Sequence, residues 1–310
     1  MNQKKRILVI GATGAQGGSV ARALLADDRY IVRILTRNPT GDKAIDLLAE
    51  GAEVVSGDLE DLQSLKRAMK DCYGVFGVTN YSEHFHREYH QGVNLINAVS
   101  SSGIKHFVFH TLPDYYKLSG GKFPVPEFDI KAKLQRYCLQ LDIPTTFVQV
   151  AFYYENFLSG FPLAFGPDNK WHFGFPQGHT KLAMASVQDV GPVVASVFNN
   201  PVQYIGRTIG VVGEDETCTH YAETMSRVLH DDVSYEYIPR ELYLELYGTD
   251  KEEIANMFEV QRLHIPSRQL DLEESLRLNP AMTSFEEWLR ENVHEFEARF
   301  EAIHQPVLAY

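Results

Sequence analysis

A doubly wound parallel α/β sheet followed by a smaller, mostly helical C-terminal lobe is predicted by three features of this 310-residue chain. Short β-branched and apolar runs alternate with helical patterns through the first half. The first of these runs passes through a glycine-rich turn directly into a helix. After about residue 151 the alternation stops, and an aromatic-rich stretch gives way to a helical, acidic remainder. Such alternation implies right-handed βαβ units, helices on both faces of the sheet, and ligands at the carboxyl ends of the strands, the Rossmann arrangement.

Strands are expected at Ile7–Ile10, Ile31–Leu35, Val54–Val55, Val75–Val78, His106–Phe109 and Thr146–Val150, with helices near Gly18–Leu25, Asp42–Glu50, Asp61–Lys70, Glu88–Ser101 and Glu127–Leu141. Residues 152–180 read as irregular loops, because aromatics are mixed there with Phe-Pro and Gly-Pro pairs. Ser186–Asn199 is helical in pattern, and Thr208–Val212 is expected to return as a strand. Residues 1–152, with 186–212 returning to them, then form a dinucleotide-binding domain. Residues 153–185 and 213–310 form a smaller substrate or partner lobe. Near the C-terminus Thr283 and Glu286 have capping-box spacing. Phe285, Trp288, Leu289, Phe296, Phe300 and Ile303 then make one apolar face, suited to docking on the chain's own core.

The turn reads Gly11-Ala12-Thr13-Gly14-Ala15-Gln16-Gly17-Gly18. Gly11 permits a tight turn, Gly14 lets backbone N–H groups approach a pyrophosphate, and Gly17 lets the helix pack on the strand with its positive end toward the phosphates. Thr13, Ala15 and Gln16 belong to the same candidate cradle. Its G-x-x-G-x-x-G spacing is one residue longer than the standard fingerprint, so its weight comes from its setting between strand and helix. An NAD site would place an acid at the end of the second strand for the ribose 2′-hydroxyl. That end reads Thr36-Arg37-Asn38-Pro39, and no acid occurs between Arg29 and Gly41. Arg37 is placed to pair with a 2′-phosphate, with Lys43 in support, so the expected cofactor is NADP(H).

Composition narrows the partners. Lys and Arg number 29 against 41 Asp and Glu, a formal net charge of −12, which disfavours direct nucleic-acid binding. The first apolar run is four residues long, too short for a signal-peptide core, and no stretch approaches the roughly 20 apolar residues of a membrane span. A cytoplasmic location without membrane attachment is expected. Cys72, Cys138 and Cys218 are far apart, form no C-x-x-C pair, and read as packing residues of a reducing compartment.

Other residues admit two readings. Asp58 resembles in position the Asp that related dehydrogenases set against adenine, and it suits equally the N-cap of the next helix, two roles that can coexist. Thr79, Asn80 and Tyr81 follow a strand's carboxyl end, as ribose and nicotinamide contacts or as an Asn-containing turn. Tyr153 and Asn156 suit the substrate side of the pocket or packing between lobes. His84-x-His86-x3-His90 lacks the further ligands of a metal motif and reads as surface or pocket rim, so no metal is expected.

Taken in order, Gly11–Arg22, Thr36-Arg37-Asn38-Pro39, Gly51–Asp58, Val78-Thr79-Asn80-Tyr81, Tyr154-Glu155-Asn156-Phe157, Ser186–Pro192, Ala255-Asn256-Met257-Phe258 and Leu276–Pro280 resemble the NmrA-like proteins, atypical members of the short-chain dehydrogenase/reductase superfamily. The resemblance covers nearly the whole chain. It implies an NADP(H)-binding redox sensor that regulates a protein partner according to cofactor occupancy, and it leaves room for a homodimer.

A typical short-chain dehydrogenase acts through Tyr-x-x-x-Lys on one helix face, where i and i+4 side chains meet and the ammonium lowers the phenol pKa. Here Lys131 occupies the lysine's place, but Glu127 stands four residues before it. Tyr247-Gly248-Thr249-Asp250-Lys251 repeats the spacing, yet its glycine-containing loop makes a helical face a coincidence. Thr111 matches the superfamily's catalytic Ser or Thr and could orient a carbonyl if the protein is an enzyme. Isoflavone-reductase-like proteins manage without the tyrosine, and Phe128-Asp129-Ile130-Lys131 followed by Ile143-Pro144-Thr145 resembles their pattern. Lys131 is then either the proton donor of an NADPH-dependent reductase of a quinone-like or aromatic molecule, or a residue that only bonds the cofactor's ribose.

Overall fold

The computed structural model describes residues 4–81 and 87–304. Seven strands form the main sheet: β1 (Lys5–Ile10), β2 (Tyr30–Thr36), β3 (Glu53–Ser56), β4 (Gly74–Gly77), β5 (His106–His110), β6 (Thr145–Val150) and, from further along, β11 (Thr208–Val211). Their order is β11-β6-β5-β4-β1-β2-β3 and every pairing is parallel. The order reverses between β1 and β4, so a crevice opens at the carboxyl ends of those two strands.

Helices α1 (Ala15–Leu25), α2 (Asp42–Ala49), α3 (Leu62–Ala68), α4 (Glu88–Ser101) and α5 (Pro126–Gln140) alternate with the strands, and α6 (Val190–Asn199) completes the cover. Ile7, Val9, Val20 and Leu24 pack with Val193, Val194, Val197 and Phe198 under one face. Leu8, Ile10, Leu95, Val99, Phe107, Phe109 and Leu134 fill the other. Each strand thus sends alternate residues to opposite cores. Gly191 lets α6 approach α1: a Cβ there would lie 2.3 Å from the Ser19 carbonyl oxygen. The Ser19 hydroxyl closes that contact, accepting from Gly191 N at 2.9 Å and donating to the Gln188 carbonyl at 2.6 Å.

Residues 152–180 are more regular than their Pro and Gly content suggests. They contain β7 (Phe152–Tyr153), β8 (Ala164–Phe165) and β9 (Trp171–Phe175), and β10 (Lys181–Ala185) follows. Two small sheets result, β12 (Glu214–Thr217) with β10 and β7, and β13 (Val233–Tyr237) with β9 and β8. The Phe-Pro and Gly-Pro pairs fall between short strands, while the aromatics build a core. Phe175 stacks on Phe258 at 4.3 Å, and Trp171 stacks on Phe300 at 3.8 Å. The helices of this lobe are α7 (Cys218–Leu229), α8 (Arg240–Tyr247), α9 (Glu252–His264) and α11 (Phe285–His304), while α10 (Gln269–Leu278) returns to the main sheet, where Leu278 joins its core and Ser275 bonds the Gly210 carbonyl at 3.1 Å.

Helix α11 begins one residue later than the expected box. Ser284 and Glu287 make the reciprocal bonds, Glu287 N donating to Ser284 Oγ at 3.2 Å and Ser284 N to Glu287 Oε2 at 3.0 Å. Thr283 is drawn away by buried Asp189, which accepts from its backbone amide at 3.0 Å, and Glu286 pairs with Arg227 and Arg290. The expected apolar face holds for Phe285, Trp288, Leu289, Phe296 and Phe300, all buried in the lobe's own core. Asp58 is not the N-cap of α3. Asp61 is, accepting from Gln63 N at 2.9 Å. No described helix is long and apolar enough to cross a membrane.

Candidate nucleotide-binding cleft

The cleft at the switch point has a volume of about 630 Å³ and is lined from both lobes. Its floor is the β1–α1 loop. Gly11 takes φ +72°, where a side chain would be strained, and a Cβ on it would lie 2.7 Å from Val78 Cγ1. A Cβ on Gly17 would lie 2.2 Å from the Gly11 carbonyl oxygen. Gly14 N bonds that same carbonyl at 2.9 Å, closing the turn. At the head of α1, Gly14 occupies the cap position and no side chain caps the first amides. Free amides and the positive end of a helix together make an anion site.

At one end the cleft is lined by Thr36, Arg37, Asn38, Gly57 and Asp58. Asn38 N donates to Thr36 Oγ1 at 3.1 Å, and Thr40 Oγ1 donates to Asn38 Oδ1 at 3.0 Å, which shapes the turn carrying Arg37. Lys43 lies on α2 and is not part of the lining. Asp58 Oδ1 accepts from Glu60 N at 2.9 Å, an Asx-turn that fixes the carboxylate at the rim.

The other end is made of side chains. Lys131 is fully buried and forms an ion pair with Glu88, which is buried as well. Thr79 completes the group: its hydroxyl donates to Glu88 Oε1 at 2.6 Å, and its carbonyl accepts from Lys131 Nζ at 3.3 Å. The Thr79 hydroxyl is therefore committed to Glu88 rather than offered to a ribose. One helical turn before Lys131, Glu127 faces the cleft, its carboxyl pushed above the usual range by burial, an effect the Lys131 charge offsets in part. Burial and the nearby ammonium push His110 down to about 3, so its imidazole is neutral. Tyr153 is also held in its protonated form by burial, and its phenol faces Gln16. Neither the Tyr153 hydroxyl nor Gln16 Oε1 has a well-formed hydrogen bond, and Gln91 Oε1 and His110 Nδ1 are likewise buried and unpartnered. Unpartnered polar atoms around a glycine-floored cleft match the polar needs of a dinucleotide.

Gly11, Thr13, Gly14, Ala15, Gln16, Gly17, Arg37, Asp58, Thr79, Asn80, Lys131 and Tyr153 all lie on this cleft. Two expected residues do not. Thr111, at the end of β5, is wholly buried and its hydroxyl donates to Gln135 at 2.9 Å, turned toward α5. Asn156 sits in a 3-10 turn (Tyr154–Leu158), where its carbonyl accepts from Phe161 N at 2.8 Å. Tyr247 and Lys251 share no helix face, because Gly248 at φ +98° ends α8 between them. His84 and His86 lie outside the described residues. His90 Nε2 lies 3.3 Å from Asn94 Nδ2 on α4, and no metal-binding cluster occurs among the described residues.

Sequence reasoning missed Glu88, Gln91, His110 and Glu155. Glu155 accepts from Ser186 Oγ at 3.0 Å and from Val187 N at 3.2 Å, fixing Val187 at the cleft. A signal for Glu88 existed: it falls in register with Gly92, Leu95 and Ile96 on the buried stripe of α4. An acid on such a stripe requires a buried partner.

Comparison with known proteins agrees with this architecture. The NmrA-like family model matches residues 3–289. A Dictyostelium discoideum NmrA-like family domain-containing protein is 30% identical over 92% of this chain and 97% of its own length. The Cladobotryum NmrA-like family domain-containing oxidoreductase FrzB is 32% identical over 67% of this chain and 68% of its own. Among solved structures, the negative transcriptional regulator NmrA superimposes with a TM-score of 0.82 at 24% identity, over 98% of this chain and 99% of its own. NmrA has also been crystallised with NADP. With the family model spanning most of its length, this chain belongs to the NmrA-like family.

Proposed function

We propose that this chain is an NADP(H)-binding regulatory protein that reports cofactor occupancy and lacks the acid of a Tyr-x-x-x-Lys dehydrogenase. The observation that carries the reading is the setting of Lys131. Its ammonium is neutralised by Glu88 and tied to the Thr79 carbonyl, and a carboxyl stands where the phenol would be. Each partner of this buried pair supplies the other's counter-charge, and removing either would be strongly unfavourable. Lys131 is suited to hold the ribose and keep the local charge balanced.

The β1–α1 loop and the head of α1 would hold the pyrophosphate, Arg37 the 2′-phosphate, and Asn80, Lys131 and Tyr153 the nicotinamide half. When bound, the nicotinamide supplies hydride-transfer capacity. Arg37 without an acid at the end of β2 supports NADP(H) over NAD(H). Tyr153, Glu155 and Val187 line the cleft from beyond the first six strands, so filling it bears on the smaller lobe and on any protein partner that recognises that lobe. The test is amide hydrogen exchange of the full chain with and without saturating NADPH, NADP+ and NADH. NADPH should bind at least about tenfold more tightly than NADH and slow exchange in the smaller lobe. Binding with no change beyond the cleft would refute the sensor.

A second reading, an NADPH-dependent reductase of a quinone-like or aromatic molecule, is favoured by one observation. Glu127 presents to the cleft, beside Lys131, a carboxyl whose pKa burial raises above the usual range, the direction a general acid requires. The fungal relative named as an oxidoreductase gives this reading further support.

A further inference from the structure

We infer that Glu253, on α9 of the smaller lobe, is the positioning residue that joins the nicotinamide end of the cleft to that lobe. Its carboxylate caps the helix carrying Lys131 and neighbours the loop after β4. The inference deepens the sensor reading and rests on it, because it names the contact through which occupancy reaches the second lobe.

Helix α5 has no side-chain cap of its own, and Pro126 in its first turn has no N–H to satisfy. The next amide, Glu127 N, donates to Glu253 Oε1 at 2.9 Å, across 126 residues of sequence. The phenol of Tyr81, which lines the cleft beside Asn80, is the polar neighbour of the same carboxyl on the cleft side. One carboxyl on α9 thus bonds the first turn of the helix bearing Glu127 and Lys131 and neighbours the cleft-lining Tyr81. Its negative charge is also favourable at a helix N-terminus.

The start of α9 is fixed so that this carboxyl stays in place. Asn256, buried on the next turn, donates from Nδ2 to the Pro124 carbonyl at 2.9 Å and accepts from Arg240 Nε at 2.7 Å. Arg240 continues to Glu252 at 2.8 Å and lies over the ring of Phe123 at 5.5 Å. Val260 of α9 packs with Val125 and Tyr115. Residues 123–127 are therefore gripped by α9 through main-chain, charged and apolar contacts. Glu253 itself is not among the residues lining the cleft. Any shift of Tyr81 or of the first turn of α5 when the cleft fills changes the partners of one α9 side chain, and the phosphate end is not involved.

The experiment is amide hydrogen exchange with and without NADPH on the full chain, for the wild type, Glu253→Ala and Glu253→Gln, with NADPH affinity and thermal melting measured on each. In the wild type NADPH should slow exchange in the first turn of α5 and in α9 by about fivefold or more. Glu253→Ala should lose the α9 response while NADPH affinity changes by less than about threefold. Glu253→Gln, whose amide oxygen still accepts from Glu127 N, should restore most of it. A full α9 response in a folded Glu253→Ala protein would overturn this inference and leave the sensor reading intact. A wild type that binds NADPH without any response outside the cleft would overturn both.

Discussion

The two ends of the cleft are built on different principles. The glycine-loop end, proposed for the pyrophosphate, is main chain: within eight consecutive residues, glycines make room and the head of α1 supplies uncapped amides. The Lys131 end, proposed for the nicotinamide, is side chain, assembled from Thr79 and Tyr81 after β4, Glu88 on α4, His110 on β5, Glu127 and Lys131 on α5, and Tyr153 beyond β6. Backbone donors are neutral and require only space, so steric change is what damages the first end. Buried charges require partners, so the second end is sensitive to any change that leaves one unpaired.

Four changes should break or sharpen that contrast. The largest effect is expected from Glu88→Gln, which leaves the Lys131 ammonium buried against a neutral amide. Unfolding in urea should show a loss of about 3–5 kcal/mol, and adding Lys131→Met should recover most of it. If the double variant is no more stable than the single, the pair is not the unit described here. Arg37→Gln should remove about 1.5–3 kcal/mol of NADPH binding, the range for hydrogen bonds to a charged group, and leave NADH binding unchanged. Equal losses for both dinucleotides, read by calorimetric titration, would place Arg37 elsewhere than on the 2′-phosphate.

Gly17→Ala forces a Cβ against main chain that cannot swing aside, so it should cost about 1–3 kcal/mol of stability and weaken NADPH with it. In Gly18→Ala the nearest contact is 3.2 Å from the Ala12 carbonyl oxygen, and the effect should be smaller. The smallest change is a dependence on pH confined to the second end. Burial lowers the folded pKa of His110 from 6.5 to about 3. Its contribution to stability is therefore full above the unfolded value and lost as pH falls from about 6.5 toward 3. By pH 5.5 the loss is about 1.4 kcal/mol, visible as convergence of wild-type and His110→Gln stabilities as pH falls. Parallel curves would mean the imidazole is accessible to protons in the folded state.

The same contrast decides what could be read from the sequence. The parallel strands, the glycine loop and the basic end of the second strand were legible because each rests on neighbours in sequence: apolar runs of strand length, glycines at fixed spacing, a basic residue at a strand's end. Lys131 was legible from the helix it sits on, but its state was not, because the deciding partner, Glu88, comes from another helix. Thr111 and Asn156 were placed by correspondence along the chain, and a turn of one hydroxyl toward Gln135 and of one loop toward Phe161 removed them from the cleft. The box at α11 shifted by one residue because Asp189, nearly a hundred residues earlier, claims Thr283. Strands β7 and β8 were hidden because two residues pairing across a sheet leave no periodicity to detect, whereas Trp171–Phe175 alternates buried and half-buried side chains and was masked only by its Pro- and Gly-rich surroundings.

On the proposed reading the cleft holds NADPH while Lys131, locked by Glu88, does not serve turnover. The most direct test is NADPH consumption by the wild type and Lys131→Met against excess quinones, enones and aromatic aldehydes, with bound NADPH measured in the same samples. Stoichiometric binding in the wild type, with consumption of no more than about one equivalent per chain, is expected. Repeated turnover that disappears in Lys131→Met, with NADPH still bound, would contradict that reading and make the protein a reductase centred on that lysine.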